Sequence, residues 1–267
     1  MKKVLKILIV LLWIALTGGL IYFTGFANIE HDKVVCNRYD IQIDYGNADT
    51  LVTSNDIYDL VKRTGNLLKG QKTGNIDIEK IEREIRRQPY VADVNAFMHL
   101  NGDVEIRIIQ RQPILRIFNH YGESYYLDGQ GRLLPLNPAF TTRVLVATGF
   151  IPESFSKTVN YKTDSIQEHD STDYNGVMNH LYRISIAILK NSFLKAQIEQ
   201  IYVTEDGNFE LIPVVGRHVI YLGDAQNLEE KFDKLIVFYK MGLNKIGWNK
   251  YNFININYKN QVVCSKR

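Results

Sequence analysis

Two tetrapeptides, Ser154-Phe155-Ser156-Lys157 and Ser192-Phe193-Leu194-Lys195, place a lysine one helical turn after a serine. That spacing can serve serine acyl transfer, in which a base takes the proton of the attacking hydroxyl. The full constellation adds an S-D-N and a K-T-G on a strand beside the serine. Lys72-Thr73-Gly74 supplies the letters but precedes both serines, the reverse of the order this chemistry uses, and no S-D-N intervenes. It also falls in a loop between two expected helices. Four-residue patterns with two free positions arise by chance in a chain of 267 residues, and these read as incidental.

The other chemistry-bearing residues are dispersed. Of six histidines, His99 falls at a hairpin and His218 at the start of a strand. Neither has a second ligand at metal spacing, so both read as surface or turn residues. Glu105 and Glu210 alternate with apolar residues and belong to wetted strand faces. No cysteine–histidine cluster suggests zinc, and no glycine-rich phosphate loop follows a strand. A net charge of +3 gives no support for a nucleic-acid surface. The expectation is a binding protein with no catalytic residue, metal, cofactor or small-molecule substrate.

The elements that would position any site begin with an apolar run from Val4 to Phe26, in which only Lys6 is charged. As a helix it spans about 34 Å, enough for a hydrocarbon core of roughly 30 Å. Lys2, Lys3 and Lys6 flank one side, and Glu30, His31, Asp32 and Lys33 nearly cancel on the other. The positive-inside bias leaves residues 1–3 as a cytoplasmic tail and exports the rest. Gly25-Phe26-Ala27 offers a cleavage-like site, but the run exceeds the usual signal core of about 7–15 residues, so a retained transmembrane helix over 4–26 is expected. Cys36 follows Lys33-Val34-Val35, which is not a lipid-attachment signal. The other cysteine is Cys264. A disulfide is chemically allowed in an exported region, and this one would require the two ends of that region to meet.

With 45% hydrophobic and 23% charged residues, the remaining chain of about 240 residues has a real core and suits one large or two small domains. Ile41 and Ile43 alternate with Gln42 and Asp44, as in a strand with one wet face. Thr53 to Asp56 offer N-caps for a helix carrying Ile57, Leu60 and Val61. Asp77 caps a second helix with Ile78, Ile81 and Ile85, ended by Pro89. Two strands follow, joined at Asn101-Gly102, a pair that tolerates positive φ. The order is β-α-α-β-β.

Beyond Arg111-Gln112-Pro113 the chain is mostly strands, with a turn at Asp128-Gly129 and an exposed polar loop from Ser156 to Asn175. A helix is expected from His180 to Leu189 and a hairpin turning at Asp206-Gly207. An amphipathic helix runs from Leu228 to Met241, with Leu228, Phe232, Leu235, Ile236 and Tyr239 as its stripe. A closing strand runs from Phe253 to Val263. The expected fold class is α+β: a transmembrane helix, a β-α-α-β-β domain over 34–112, and a mostly antiparallel β-domain with packed helices over 113–267.

A strand that closes a chain is often a sheet edge, to which a partner adds a strand through unpaired backbone groups. Phe253, Ile254, Ile256 and Tyr258 are then the anchors and Tyr239 a support. On this reading the partner uses the backbone edge together with Tyr258.

In this order the parts resemble the FtsQ/DivIB family of bacterial cell-division proteins. The resemblance rests on Val52 to Ile57 entering the first helix, on Pro89-Tyr90-Val91-Ala92-Asp93-Val94, and on Arg111-Gln112-Pro113 with Arg116-Ile117. Tyr125-Tyr126-Leu127-Asp128-Gly129-Gln130-Gly131 and Ile254-Asn255-Ile256-Asn257-Tyr258 complete it. It implies that the first domain is of POTRA type. It also implies a non-enzymatic divisome scaffold in the cytoplasmic (inner) membrane at the septum, with the bulk of the chain periplasmic. The partners it implies are FtsB-like and FtsL-like coiled-coil proteins and other divisome proteins, acting in the control of septal peptidoglycan synthesis by FtsW and FtsI. The alternative is a POTRA-containing envelope transport or assembly component, although no barrel follows and the POTRA-type domain is single.

Overall fold

The computed structural model describes residues 11–22, 34–65, 68–155 and 176–266. Residues 11–22 are helical and all exposed, with Trp13 at 64% and Ile21 at 71%. The remainder of the expected membrane span, 4–10 and 23–26, lies outside the described residues, as does the whole of the expected 156–175 loop. Among the described residues no helix is long and apolar enough to cross a membrane. The folded part divides into two compact units.

The first unit comprises the chain up to Asp44 and Val52–Gln110. Strands β1 (Tyr39–Asp44), β2 (Val91–Met98) and β3 (Val104–Gln110) form a sheet in the order β1-β3-β2, with β1 parallel and β2 antiparallel to β3. Helix α1 (Ser54–Arg63) starts where Thr53 and Asp56 close a reciprocal capping box, and α2 (Ile78–Arg86) starts where the Asp77 carboxylate accepts from Lys80 N at 2.8 Å. Ile57, Val61, Ile81 and Ile85 pack against Val94, Val104, Ile106 and Ile108. The β2–β3 hairpin turns at Asn101-Gly102, closed by a 2.8 Å bond from His99 N to Asp103 O. The β-α-α-β-β order read from the sequence is present.

The second unit comprises Arg111–Arg267 together with the Tyr45–Leu51 loop. That loop leaves β1 but belongs to the later unit: Asp49 accepts from Arg143 N at 3.1 Å and Leu51 O accepts from Asn137 Nδ2 at 2.7 Å. Nine strands make one sheet: β4 (Pro113–Phe118), β5 (Ser124–Asp128), β6 (Leu133–Leu134), β7 (Leu145–Gly149), β8 (Ile198–Val203), β9 (Phe209–Pro213), β10 (Val219–Gly223), β11 (Tyr251–Asn255) and β12 (Val263–Lys266). Their order is β12-β11-β10-β9-β8-β7-β4-β5-β6.

The sheet is mixed. The β4–β7, β7–β8 and β10–β11 pairs are parallel and the others antiparallel. Parallel neighbours need long crossovers, and the helices supply two of them. Helices α3 (Val177–Lys190) and α4 (Ser192–Gln197) link β7 to β8, and α5 (Leu228–Val237) lies between β10 and β11. The core gathers Leu181, Ile184 and Ile188 of α3 and Phe232 and Leu235 of α5 with Leu115, Ile117, Ile201, Leu211 and Ile254.

Candidate functional site

The end of the second unit departs from the sequence expectation in one decisive way. The expected closing strand, Phe253 to Val263, is two strands and a turn. β11 pairs in parallel with β10, aligning Phe253 with Val219 and Ile254 with Ile220. Ile256 N continues the ladder to Tyr221 O at 3.1 Å. The Asn255 side chain then accepts from Asn257 N at 2.9 Å, and Asn260 takes the left-handed conformation at φ +57°. These two asparagines reverse the chain, a role their short polar side chains suit. β12 returns antiparallel, with Cys264 opposite Ile254 and Val263 opposite Asn255.

β11 is therefore an interior strand, and the edge lies at β12. The expectation that Phe253, Ile254 and Ile256 form the free edge is corrected: β11 has a neighbour on each side. β12 has β11 on one side and, among the described residues, no strand on the other. Its outward backbone groups form the exposed template that antiparallel addition needs.

The four expected anchors and the expected support, Tyr239, separate into two groups. Ile254, Ile256 and Tyr239 are 0%, 0% and 1% exposed and meet in the core. Phe253 is half-buried, its ring 5.9 Å from that of Tyr221. Tyr258 is 50% exposed, and its carbonyl accepts from Lys234 Nζ at 2.5 Å, tying the turn to α5. Exposed apolar residues not singled out from the sequence are Val263 on β12, and Val237 and Met241 along α5 and the π-helical turn (Phe238–Leu243) that follows it. The signal for the last two was their i, i+4 spacing on the face opposite the apolar stripe.

Tyr239 sits on that π-helical turn, with rings of Phe193, His218 and Trp248 at 5.7, 5.6 and 5.1 Å. Its hydroxyl shares a 2.6 Å hydrogen bond with His218 Nε2. His218 is 2% exposed, not a surface or turn residue as its position at a strand start suggested. Burial holds the imidazole below its usual pKa and pushes the Tyr239 phenol up, so both are neutral at pH 7. Cys36 and Cys264 are free thiols, each pushed above the ordinary value by burial.

Ser154 donates to Glu123 at 3.1 Å, and Lys157 lies outside the described residues. Thr73 and Gly74 lie in a short 3-10 turn rather than on a strand. Ser192 and Lys195 lie on α4, whose first turn is capped by Asn191. Among the described residues no three His, Cys, Asp or Glu side chains converge as metal ligands would. What the terminal region offers is a backbone edge with an apolar, basic border, Lys250, Lys259 and Lys266 all being exposed.

Comparison with known proteins agrees with this architecture in both units. Residues 34–109 match the POTRA-like domain, and residues 112–265 match the family described as FtsQ/DivIB, C-terminal related. No curated protein matches the chain. The second match alone covers more than half of the sequence, and it follows the POTRA-like match along the chain. The chain belongs to the FtsQ/DivIB family, and with it to the scaffold proteins of bacterial cell division.

Proposed function

We propose that this chain is a membrane-tethered, non-enzymatic divisome scaffold whose last strand, β12, receives a strand from an exported partner. The observation that carries the proposal is the one-sided pairing of β12 at the end of a nine-stranded sheet. FtsB-like and FtsL-like coiled-coil proteins are the proposed partners, and through them the scaffold helps control septal peptidoglycan synthesis. Tyr258 and Val263 supply apolar contacts beside the edge, while main-chain bonds supply register. The exposed lysines favour acidic residues in the partner segment, so added salt weakens the complex.

Support for the tether is the apolar run 4–26 and the exposed apolar side chains of its described part, 11–22. A helix of that composition gains by moving into lipid, where its backbone is already self-satisfied. On this reading the N-terminus lies in the cytoplasm and both folded units lie outside the cell membrane, at the septum.

Successive N–H groups along a strand point to opposite sides, so Cys264→Pro and Ser265→Pro remove donors on opposite flanks of β12. One breaks the ladder to β11, and the other removes only an outward donor, which an edge strand tolerates. The variant that keeps the wild-type thermal midpoint is expected to lose partner capture in a pull-down from membranes. Full capture by that variant would overturn the edge-addition reading.

A further inference from the structure

At one end of the POTRA-like unit three segments converge. They are Val34–Cys36, which lead into β1, the loop after α1, and the β2–β3 hairpin tip. Cys36 N donates to Gln71 O at 2.9 Å, Gly70 N to Cys36 O at 2.7 Å, and Thr73 N to Val34 O at 3.0 Å. Gly102, at φ +84°, closes the contact. A Cβ there would lie 2.6 Å from Val34 Cγ1, 3.0 Å from Val35 O and 3.1 Å from Thr73 Cγ2.

This end carries an unusual surface. Leu100, beside Gly102 at the hairpin tip, is 88% exposed, more than any other large apolar side chain described. Lys69 and Lys72 on the adjoining loop are exposed, and neither has an ion-pair partner among the described residues. Residues 62–76 contain Lys62, Arg63, Lys69 and Lys72 and no acid. The nearby Asp103 is occupied by Arg38 N and Asn101.

We infer that this end of the POTRA-like unit docks on anionic phospholipid headgroups, with Lys69 and Lys72 on the phosphates and Leu100 inserted at the interface. The inference rests on the tethered reading above, because the chain reaches Val34 only eight residues after Phe26, about 28 Å at full extension. The end that must lie within that distance of the bilayer is the end that carries the exposed leucine and two lysines with no ion pair among the described residues. An apolar side chain flanked by cations is the pattern that binds a headgroup layer, with each cation strengthening attraction to anionic lipid. Docking would set the height of the unit above the membrane.

The test uses the full chain reconstituted in bilayers of phosphatidylcholine alone or with phosphatidylglycerol, read by amine acetylation and mass spectrometry. In the anionic bilayer Lys69 and Lys72 are expected to label about tenfold more slowly, while the exposed Lys245 and Lys250 are unchanged. High salt or Leu100→Asp should restore labelling, and thermal unfolding of that variant should match wild type because the side chain packs against little. Equal labelling in the two bilayers overturns the inference, as does shielding seen in native membranes but in neither pure bilayer, which would assign the surface to a protein partner. Release of the chain by alkaline carbonate instead contradicts the tether. The lipid surface is then judged by whether externally added anionic vesicles shield the same two lysines, and an unchanged rate counts against it.

Discussion

Arg111 and Asp128 form a buried ion pair at 3.0 Å, 8% and 2% exposed, at the point where β4 begins and β5 ends. The same guanidinium nitrogen reaches Gln130 Oε1 at 3.0 Å, and the other Asp128 oxygen accepts from Gln130 N and Arg132 N at 2.9 and 2.7 Å. Gly129 N donates to Gln112 O at 3.0 Å. Two sequence motifs 17 residues apart, Arg111-Gln112-Pro113 and Asp128-Gly129-Gln130-Gly131, are thus the two sides of one hydrogen-bonded corner.

Removing one partner of that corner leaves a charge without its counter-ion in the interior. Arg111→Ala is expected to cost about 3–5 kcal/mol. That corresponds to a fall of roughly 10 °C in thermal midpoint, measurable by circular dichroism or calorimetry. Arg111→Lys should recover only part of it, since a shorter and more strongly hydrated ammonium replaces a guanidinium in a buried site.

The Tyr239–His218 hydrogen bond makes stability depend on pH. Burial lowers the folded-state pKa of His218, so between that value and the unfolded value of about 6.5 the unfolded chain binds more protons. Stability is therefore full above about pH 6.5 and is lost as pH falls through the folded-state value. Wild-type thermal midpoints should fall from pH 7 to pH 5, and His218→Gln should flatten that part of the profile. At pH 7 Tyr239→Phe should cost about 1–3 kcal/mol, as the buried imidazole loses its hydrogen bond.

Gly149 ends β7 opposite Val203 at φ +99°, and a Cβ there would lie 2.2 Å from Val203 O. Backbone cannot yield as a flexible side chain can. Gly149→Ala is expected to cost roughly 3 kcal/mol or more, and to reduce soluble yield, because it breaks a parallel contact at the centre of the sheet. A wild-type melting curve for this variant would contradict the strand alignment.

The first unit was legible because each of its local signals has a single reading: caps at Thr53 and Asp77, apolar faces at helical spacing, and a turn at Asn101-Gly102. The second was legible as strands and helices but not as a sheet order. Whether neighbours run parallel depends on where a crossover lands, and α4, a six-residue helix capped by Asn191, is too short to show periodicity. The terminal edge was misread because Ile254, Ile256 and Tyr258 alternate without a break. The turn is marked only by asparagines, with no glycine or proline to stop the pattern. His218 was misread because a histidine at a strand start gives no sign that Tyr239, 21 residues later, will bury it.

The most direct test of the central claim is amide hydrogen exchange on the complex purified from membranes, compared with the chain alone. The edge-addition account predicts that partner binding slows exchange of the outward amides in Val263–Lys266. The amides of β11, already paired on both sides, should change little. Unchanged exchange across Val263–Lys266 with the partner still bound would contradict it.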